Sequence, residues 1–255
     1  ALATAQAVAH TAVAMVAAQA GLRVLALEAG GLVTPDQMSQ LEQEMFPRLY
    51  WEAGARATVD HAVKIHQGKG VGGSTLHNLN LCKRIPRAIR ARWAVERDLS
   101  RLQPEAWDAL YDEVEALLGV RPVAAARVNR NNQLLADGCQ RLGWAGGALQ
   151  HNRAGCVGSG FCELGCAFDA KNNALKVMVP PAVRAGAEIL TRARAVRIRH
   201  KGGVANAVDV VHLDRSGAVR KRFLVKASRI CVSASAVGTA ALLLRSELPA
   251  PAGAV

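Results

Sequence analysis

GLRVLALEAGG, residues 21–31, is the stretch that decides the fold class. The Ala-rich segment before it, from about Ala7 to Gln19, reads as a helix that Gly21 stops. Leu22 and Arg23 lead into a short apolar run, Val24 to Leu27, which ends at Glu28, Ala29, Gly30 and Gly31. Helix, glycine, short strand, acidic residue and glycine turn is the second half of a βαβ unit, with the acid at the strand's carboxyl end. In dinucleotide folds that acid hydrogen-bonds a ribose hydroxyl; an ordinary strand-end glutamate is the plainer alternative.

Outward from this unit, residues 35–47 space Met38, Leu41 and Met45 as on a helix, with Pro35 in its first turn. A further helix is expected from Pro104 to Leu118, placing Trp107, Leu110, Tyr111, Val114 and Leu118 on one packed face before Gly119 ends it. After Gly186 the texture changes to short runs, Glu188 to Ile198, Val204 to Leu213 and Arg222 to Val232, separated by Gly202-Gly203 and by Asp214 to Gly217. That pattern predicts a three-strand meander, followed by a helix holding Leu242, Leu243 and Leu244.

At 255 residues and 51% hydrophobic content the chain can bury the core of one large or two smaller domains. The excess of 32 basic over 20 acidic residues gives +12, but the charges are scattered from Arg23 to Arg245 and only 4% of residues are aromatic. Without a basic run or stacking platforms, nucleic acid is not an expected partner. The first twenty residues are apolar, yet no basic segment precedes them and Gln6, His10 and Gln19 interrupt them, so neither a signal peptide nor a membrane span is expected. The lack of an initial Met and the abrupt PAPAGAV end give the expectation of a chain cut from a longer one.

The strongest local signal is GKGVGGSTLHNLNLCKRIP, residues 68–86. Gly70, Gly72 and Gly73 free the backbone for close approach, while Ser74, Thr75, Asn78 and Asn80 place polar side chains beside exposed amides. Such a loop suits a pyrophosphate and a polar ring edge; it also occurs as a plain turn. A second constellation, Cys156, Cys162 and Cys166, puts three thiols in eleven residues with glycines between them. They could converge on one metal centre, or serve as packing thiols or a disulfide. Cys82, Cys139 and Cys231 lie far apart and suggest no disulfide framework, which favours a cytoplasmic setting over secretion.

The loop resembles the first signature of the glucose-methanol-choline (GMC) oxidoreductases: GKGVGGST, then Asn78 three residues after Thr75, with Arg84 and Pro86 behind. VLALEAG at 24–30 resembles that family's ribose-binding strand, and SASAVGTAALLLRS at 233–246 its second signature. The resemblance implies an α/β fold: an FAD-binding Rossmann-like domain, incomplete at its N-terminus, formed by residues 1–90 and 186–255 with the meander. Residues 91–185 would then be part of a substrate domain. It also implies oxidation of a CH-OH donor (an alcohol, sugar or sterol), with FAD as hydride acceptor and then oxygen, a quinone or a partner electron-acceptor protein such as a cytochrome.

Carried over residue by residue, Glu28 would hold the adenosine ribose. Gly72, Gly73, Ser74 and Asn78 would line the pyrophosphate and isoalloxazine, Ala195 would offer backbone to the adenine, and Ser235 and Ala236 would form the second turn. His77 precedes Asn78, where family members that link flavin covalently carry the ligand; a loop histidine hydrogen-bonding its neighbours is the alternative. The spacing of Cys156, Cys162 and Cys166 is similar to the iron-sulfur ligands of some bacterial family members.

Two departures stand out. Ala5, Ala7 and His10 fall where the resemblance requires the G-x-G-x-x-G glycines, so side chains would crowd a pyrophosphate and flavin binding is expected to be weakened. None of the seven histidines aligns with the family's proton-accepting base, which lies beyond the second signature. A catalytically inactive flavin fold and an electron-transfer module built on the cysteines are the competing expectations.

Overall fold

The computed structural model describes residues 2–99 and 103–248, with backbone alone for residues 2–10 and Pro104. In chain order the first elements are α1 (Leu2–Gln19), β1 (Leu25–Leu27), α2 (Glu42–Leu49), β2 (Leu81–Cys82), α3 (Arg87–Glu96) and α4 (Pro104–Leu118). Then come β3 (Arg121–Pro122), α5 (Arg130–Arg141), β4 (Gln150–His151), α6 (Ala174–Val177) and α7 (Val179–Arg184). The last are β5 (Glu188–Leu190), β6 (Ala193–Lys201), β7 (Val204–Leu213), β8 (Val219–Lys226) and α8 (Ser235–Ser246). They fall into a larger unit, Leu2–Asn78 with Ser159–Asp169 and Asn173–Val255, and a smaller one, Leu79–Gly158 with Ala170–Asn172.

In the larger unit β1 pairs in parallel with β5, Ala26 opposite Ile189. The pairing continues past the strand ends, where the Glu28 amide donates to the Leu190 carbonyl at 3.0 Å and the Ala193 amide donates to the Glu28 carbonyl at 2.8 Å. Small side chains let α1 lie close to α7, with Ala18 and Ala182 buried together beside Ala187. The meander forms as β6-β7-β8, antiparallel throughout. Gly202 and Gly203, at φ 58° and 78°, supply the two left-handed residues that a tight hairpin needs. Ala193, Val208 and Val210 pack with Leu27 and Leu190, joining the meander to the parallel pair.

Two expected elements are broken. The span 35–47 becomes a single 3-10 turn at Pro35–Gln37 and a separate helix α2, with Gln40 at φ 60° between them. Met38 and Met45 reach the core while Leu41 stays 49% exposed, so the three-residue spacing did not mark one continuous face. The strand expected over 188–198 splits at Arg192, φ 52°, because β5 runs parallel to β1 whereas β6 must turn to meet β7. The third meander strand starts at Val219 rather than Arg222 and ends at Lys226.

The smaller unit holds three short strands in the order β2-β4-β3. Helix α4 runs as expected, and Gly119 caps it at φ 62°. Its packed face is not the expected apolar stripe, since Leu110 and Val114 are exposed. Instead Arg84 and Arg90 hold their guanidinium groups 5.5 and 5.6 Å from the Tyr111 ring centre. Arg90 pairs with Asp108 at 2.7 Å, Arg84 with Asp112 and Glu115 at 2.6 and 2.5 Å, and Arg87 with Glu105. Arginines three residues apart thus fasten the α3 region to an acidic face of α4. Arg90 is the buried member, 5% exposed, so Arg90→Ala strands Asp108 and removes packing on Tyr111. We expect a loss of about 2 kcal/mol in urea unfolding, below the range for fully buried pairs because Asp108 is partly solvated.

Candidate cofactor site

Glu28 sits where β1 ends and is half-buried. Its Oε1 accepts from the Gly30 amide at 2.7 Å and from the Gly70 amide at 3.0 Å, clasping two glycine turns together across forty residues of chain. Oε2 takes no hydrogen bond among the described residues. Burial pushes the Glu28 carboxyl above its ordinary value, against the opposing pull of the Gly30 and Gly70 amides and of Lys69. A raised folded-state pKa means that the contribution to stability is complete below about pH 4.5 and is lost as pH rises through the folded value. Glu28→Gln keeps an oxygen for both amides and removes the charge. It is expected to raise Tm above wild type at pH 8 and to match wild type near pH 4, read by circular dichroism melts at both values.

The glycines of the loop serve close passage of backbone. A methyl group on Gly30 would stand 2.4 Å from the Gly70 nitrogen, and one on Gly68 2.3 Å from the Ser74 nitrogen. Gly72 and Gly73 adopt φ 101° and 54°, opening the 3-10 turn Gly73–Leu76. Ser74 Oγ accepts from the Gly68 amide at 2.8 Å, and the Asn78 amide donates to the Ser74 carbonyl at 3.0 Å. Buried Thr75 donates to the Gly72 carbonyl at 2.6 Å and accepts from the Ala174 amide at 3.0 Å, tying the loop to α6. The loop is therefore held by the Ser74 and Thr75 side chains together with backbone bonds, among them the Val71 amide to the Gly31 carbonyl at 3.0 Å.

Beneath it lies an aromatic pillar. Tyr50, 1% exposed, stacks on Phe46 at 4.6 Å and carries the His77 ring at 3.8 Å between centres. Its hydroxyl donates to the Glu163 carbonyl at 2.7 Å. Burial, with Glu163 nearby, pushes this phenol far above its ordinary pKa, so it remains a donor. His77 is consequently a buried ring, 5% exposed.

The remaining positions approach the same region. Ala193, at the start of β6, bonds Glu28, and Ala195 lies two residues further along that strand opposite Val210. Ser235 opens α8 in a left-handed conformation, φ 71°, followed by exposed Ala236. The Gln67 side chain donates to the Ala234 carbonyl at 3.3 Å, linking this turn to the glycine loop. Sequence reasoning missed Gln67, Tyr50 and the structural use of Gly30 and Gly68. The glycine pairs carried a signal in their spacing; Gln67 and Tyr50 carried none, since Ala234 for the one and His77 and Glu163 for the other are distant in sequence.

The three cysteines do not lie together with other ligand side chains in this structure. Among the described residues Cys156, Cys162 and Cys166 form no disulfide, and no three His, Cys, Asp or Glu side chains gather to hold a metal ion. Cys156 Sγ accepts from the Gly158 amide two residues on, Cys162 opens a 3-10 turn, and the Cys166 amide donates to the Met38 sulfur. Only the Cys156 contact is with its own neighbouring backbone; the Cys166 amide reaches a residue 128 positions away.

The family model for GMC oxidoreductases matches residues 46–255. The chain belongs to the GMC oxidoreductase family. An uncharacterized GMC-type oxidoreductase of Mycobacterium tuberculosis is 34% identical over 238 residues, covering 92% of this chain and 37% of the relative. A long-chain-alcohol oxidase of Arabidopsis thaliana is 30% identical over 241 residues, covering 92% of this chain and 32% of the relative. The chain thus spans about a third of the length of these GMC relatives. In fold it is similar to pyridoxine 4-oxidase from Mesorbium loti, with a TM-score of 0.65 at 20% identity over 93% of this chain and 50% of that one.

GMC enzymes normally bind FAD, and the donor set here fits that group. Glu28 offers Oε2 at a strand end, where a ribose diol needs an acceptor, and the glycine loop and Ser235 turn lie in the same unit. The phosphate end is tighter. The void bounded by Thr11, Ala14, Glu28, Val71, Gly72 and Ala182 measures about 10 Å³, room for one water. Ala5, Ala7 and His10 belong to α1, and their side chains lie outside the described residues. Among the described residues no helix is long and apolar enough to cross a membrane.

Proposed function

We propose that this chain carries the cofactor side of an FAD-dependent oxidoreductase acting on CH-OH groups of an alcohol, sugar or sterol. The observation that carries the reading is the joining of three motifs distant in sequence: Glu28 to the glycine loop through Gly70, and that loop to the Ser235 turn through Gln67. FAD, when bound, supplies the acceptor for the hydride of the carbinol carbon. Glu28 Oε2 would accept from the ribose hydroxyls. Backbone of Gly72, Gly73 and Ala236 would meet the cofactor's polar edges, with Ser74, Asn78, Ala195 and Ser235 alongside. His77, packed on Tyr50, shapes the ring-binding side of the loop and is read as non-covalent. No histidine of this chain is assigned as the base for the alcohol proton, and an electron-acceptor protein belongs to the same proposal.

The test is a flavin-fluorescence titration of the purified chain. Saturable 1:1 quenching is expected, weakened about tenfold to a hundredfold by Glu28→Ala, the scale of one hydrogen bond to a charged group. Folded chain that leaves FAD fluorescence unchanged at millimolar protein would reject the reading and favour a fold that has lost its cofactor.

A further inference from the structure

We infer that Gln67 is a positioning residue that couples the two signature motifs, with Arg56 setting the direction of its amide; the inference deepens the cofactor reading above and rests on it. Gln67 stands between two places where the backbone is strained. On one side, Glu52, Ala53 and Gly54 are consecutively left-handed, at φ 53°, 51° and 82°. Two of these are not glycine, and such residues keep this conformation only where their surroundings hold them. On the other side Ser235, also not glycine, sits at φ 71° where the second motif enters α8.

Arg56 and Gln67 link the two turns, in addition to the Ser235 turn's own bonds, in which the Ala234 amide donates to Thr239 Oγ1 at 3.1 Å and the Gly238 amide to Ser235 Oγ at 3.4 Å. Arg56 grips Glu52 Oε1 with Nε and Nη2 at 3.0 and 2.7 Å, and its guanidinium lies 5.0 Å from the Trp51 ring centre. The same guanidinium donates through Nη1 to Gln67 Oε1 at 2.6 Å. Because a guanidinium only donates, it fixes the Gln67 oxygen toward Arg56 and turns Nε2 toward the Ala234 carbonyl, which it meets at 3.3 Å. The main chain of Gln67 is fixed as well, since its carbonyl accepts from the Trp51 amide at 2.9 Å. Gly68 and the glycine loop follow immediately. Gly238 leaves room for the arrangement, as a methyl group there would lie 3.7 Å from Gln67 Nε2 and 3.2 Å from Ala234 Cβ. A displacement of the Glu52–Gly54 turn therefore reaches the Ser235 turn through an oriented amide.

Gln67→Glu separates coupling from general support. The carboxylate still accepts from Arg56 but has no proton for the Ala234 carbonyl. Amide hydrogen exchange of the whole chain is expected to quicken at least about tenfold over residues 233–239, with wild-type exchange retained at 51–56 and at 28–31. Gln67→Leu should release the Ser235 turn, while the Arg56 grip on Glu52 remains. Arg56→Gln should release the Ser235 turn, and Arg56→Lys, which keeps a donor to Gln67, should restore it in part. With FAD added, Gln67→Glu should also change the visible circular dichroism of the flavin while leaving its stoichiometry. Unchanged exchange at 233–239 in Gln67→Glu, or a uniform rise through the larger unit, overturns the coupling. If the exchange pattern appears but wild type shows no flavin signal, the coupling stands and the cofactor reading alone is lost.

Discussion

Gly30→Ala is expected to destabilise the larger unit by about 3 kcal/mol, at the upper end for overpacking because the obstacle is backbone. The added methyl would meet the nitrogen and Cα of Gly70 at 2.4 and 2.7 Å and the Lys69 carbonyl carbon at 2.7 Å, none of which can rotate away. The same displacement pulls the Gly70 amide off Glu28, so a hydrogen bond to a half-buried carboxylate is lost along with the packing. Gly147→Ala is the control: it has nothing within 4 Å and should fall between neutral and about 1 kcal/mol stabilising. Urea unfolding of the two variants side by side decides the matter, and equal midpoints would mean that the Gly30-Gly70 crossing is looser than described.

The second large effect is expected at Tyr50. Tyr50→Ala should cost about 4 kcal/mol, since the ring is 1% exposed and lies between Phe46 and His77. Tyr50→Phe keeps the pillar and removes only the hydroxyl that bonds the Glu163 carbonyl, for about 1 kcal/mol. Because burial raises the phenol pKa, the difference between Tyr50→Phe and wild type should stay constant between pH 6 and 9. In Tyr50→Ala the His77 ring loses its support, so exchange at 74–78 should rise before the unit melts. Equal losses for the Phe and Ala variants would show that the hydroxyl, not the stack, holds this region.

What was legible in the sequence was written in residues that act on their own neighbours. Gly21 ends α1, Gly119 caps α4, Gly202-Gly203 turns the hairpin, and Glu28 follows its strand. Each works through a local backbone requirement that spacing reveals. The breaks at Gln40 and Arg192 were not legible, because they answer to distant partners: Met38 reaches toward Cys166, and β5 pairs with β1 across more than 160 residues. The charged face of α4 was hidden for the same reason, since Asp108 and Glu115 are met by Arg90 and Arg84, 18 and 31 residues earlier in the chain. The candidate site was half legible. Its glycines and Glu28 stand out by type, but Thr75, which reads as a ligand donor, spends its hydroxyl on Gly72 and Ala174, and Ser74 Oγ accepts from Gly68. For the cysteines, nearness along the chain fixed neither the direction of their side chains nor their partners.

The central claim is that Glu28, the glycine loop and the Ser235 turn form one cofactor site. Hydrogen exchange of the full chain with and without saturating FAD tests it most directly. Simultaneous protection of residues 28–31, 68–78 and 233–238 is the expected result, with faster exchange in α1 as the water-sized void beside Thr11 and Ala14 opens. Protection at only one of the three segments, or none in chain that remains folded, would contradict it.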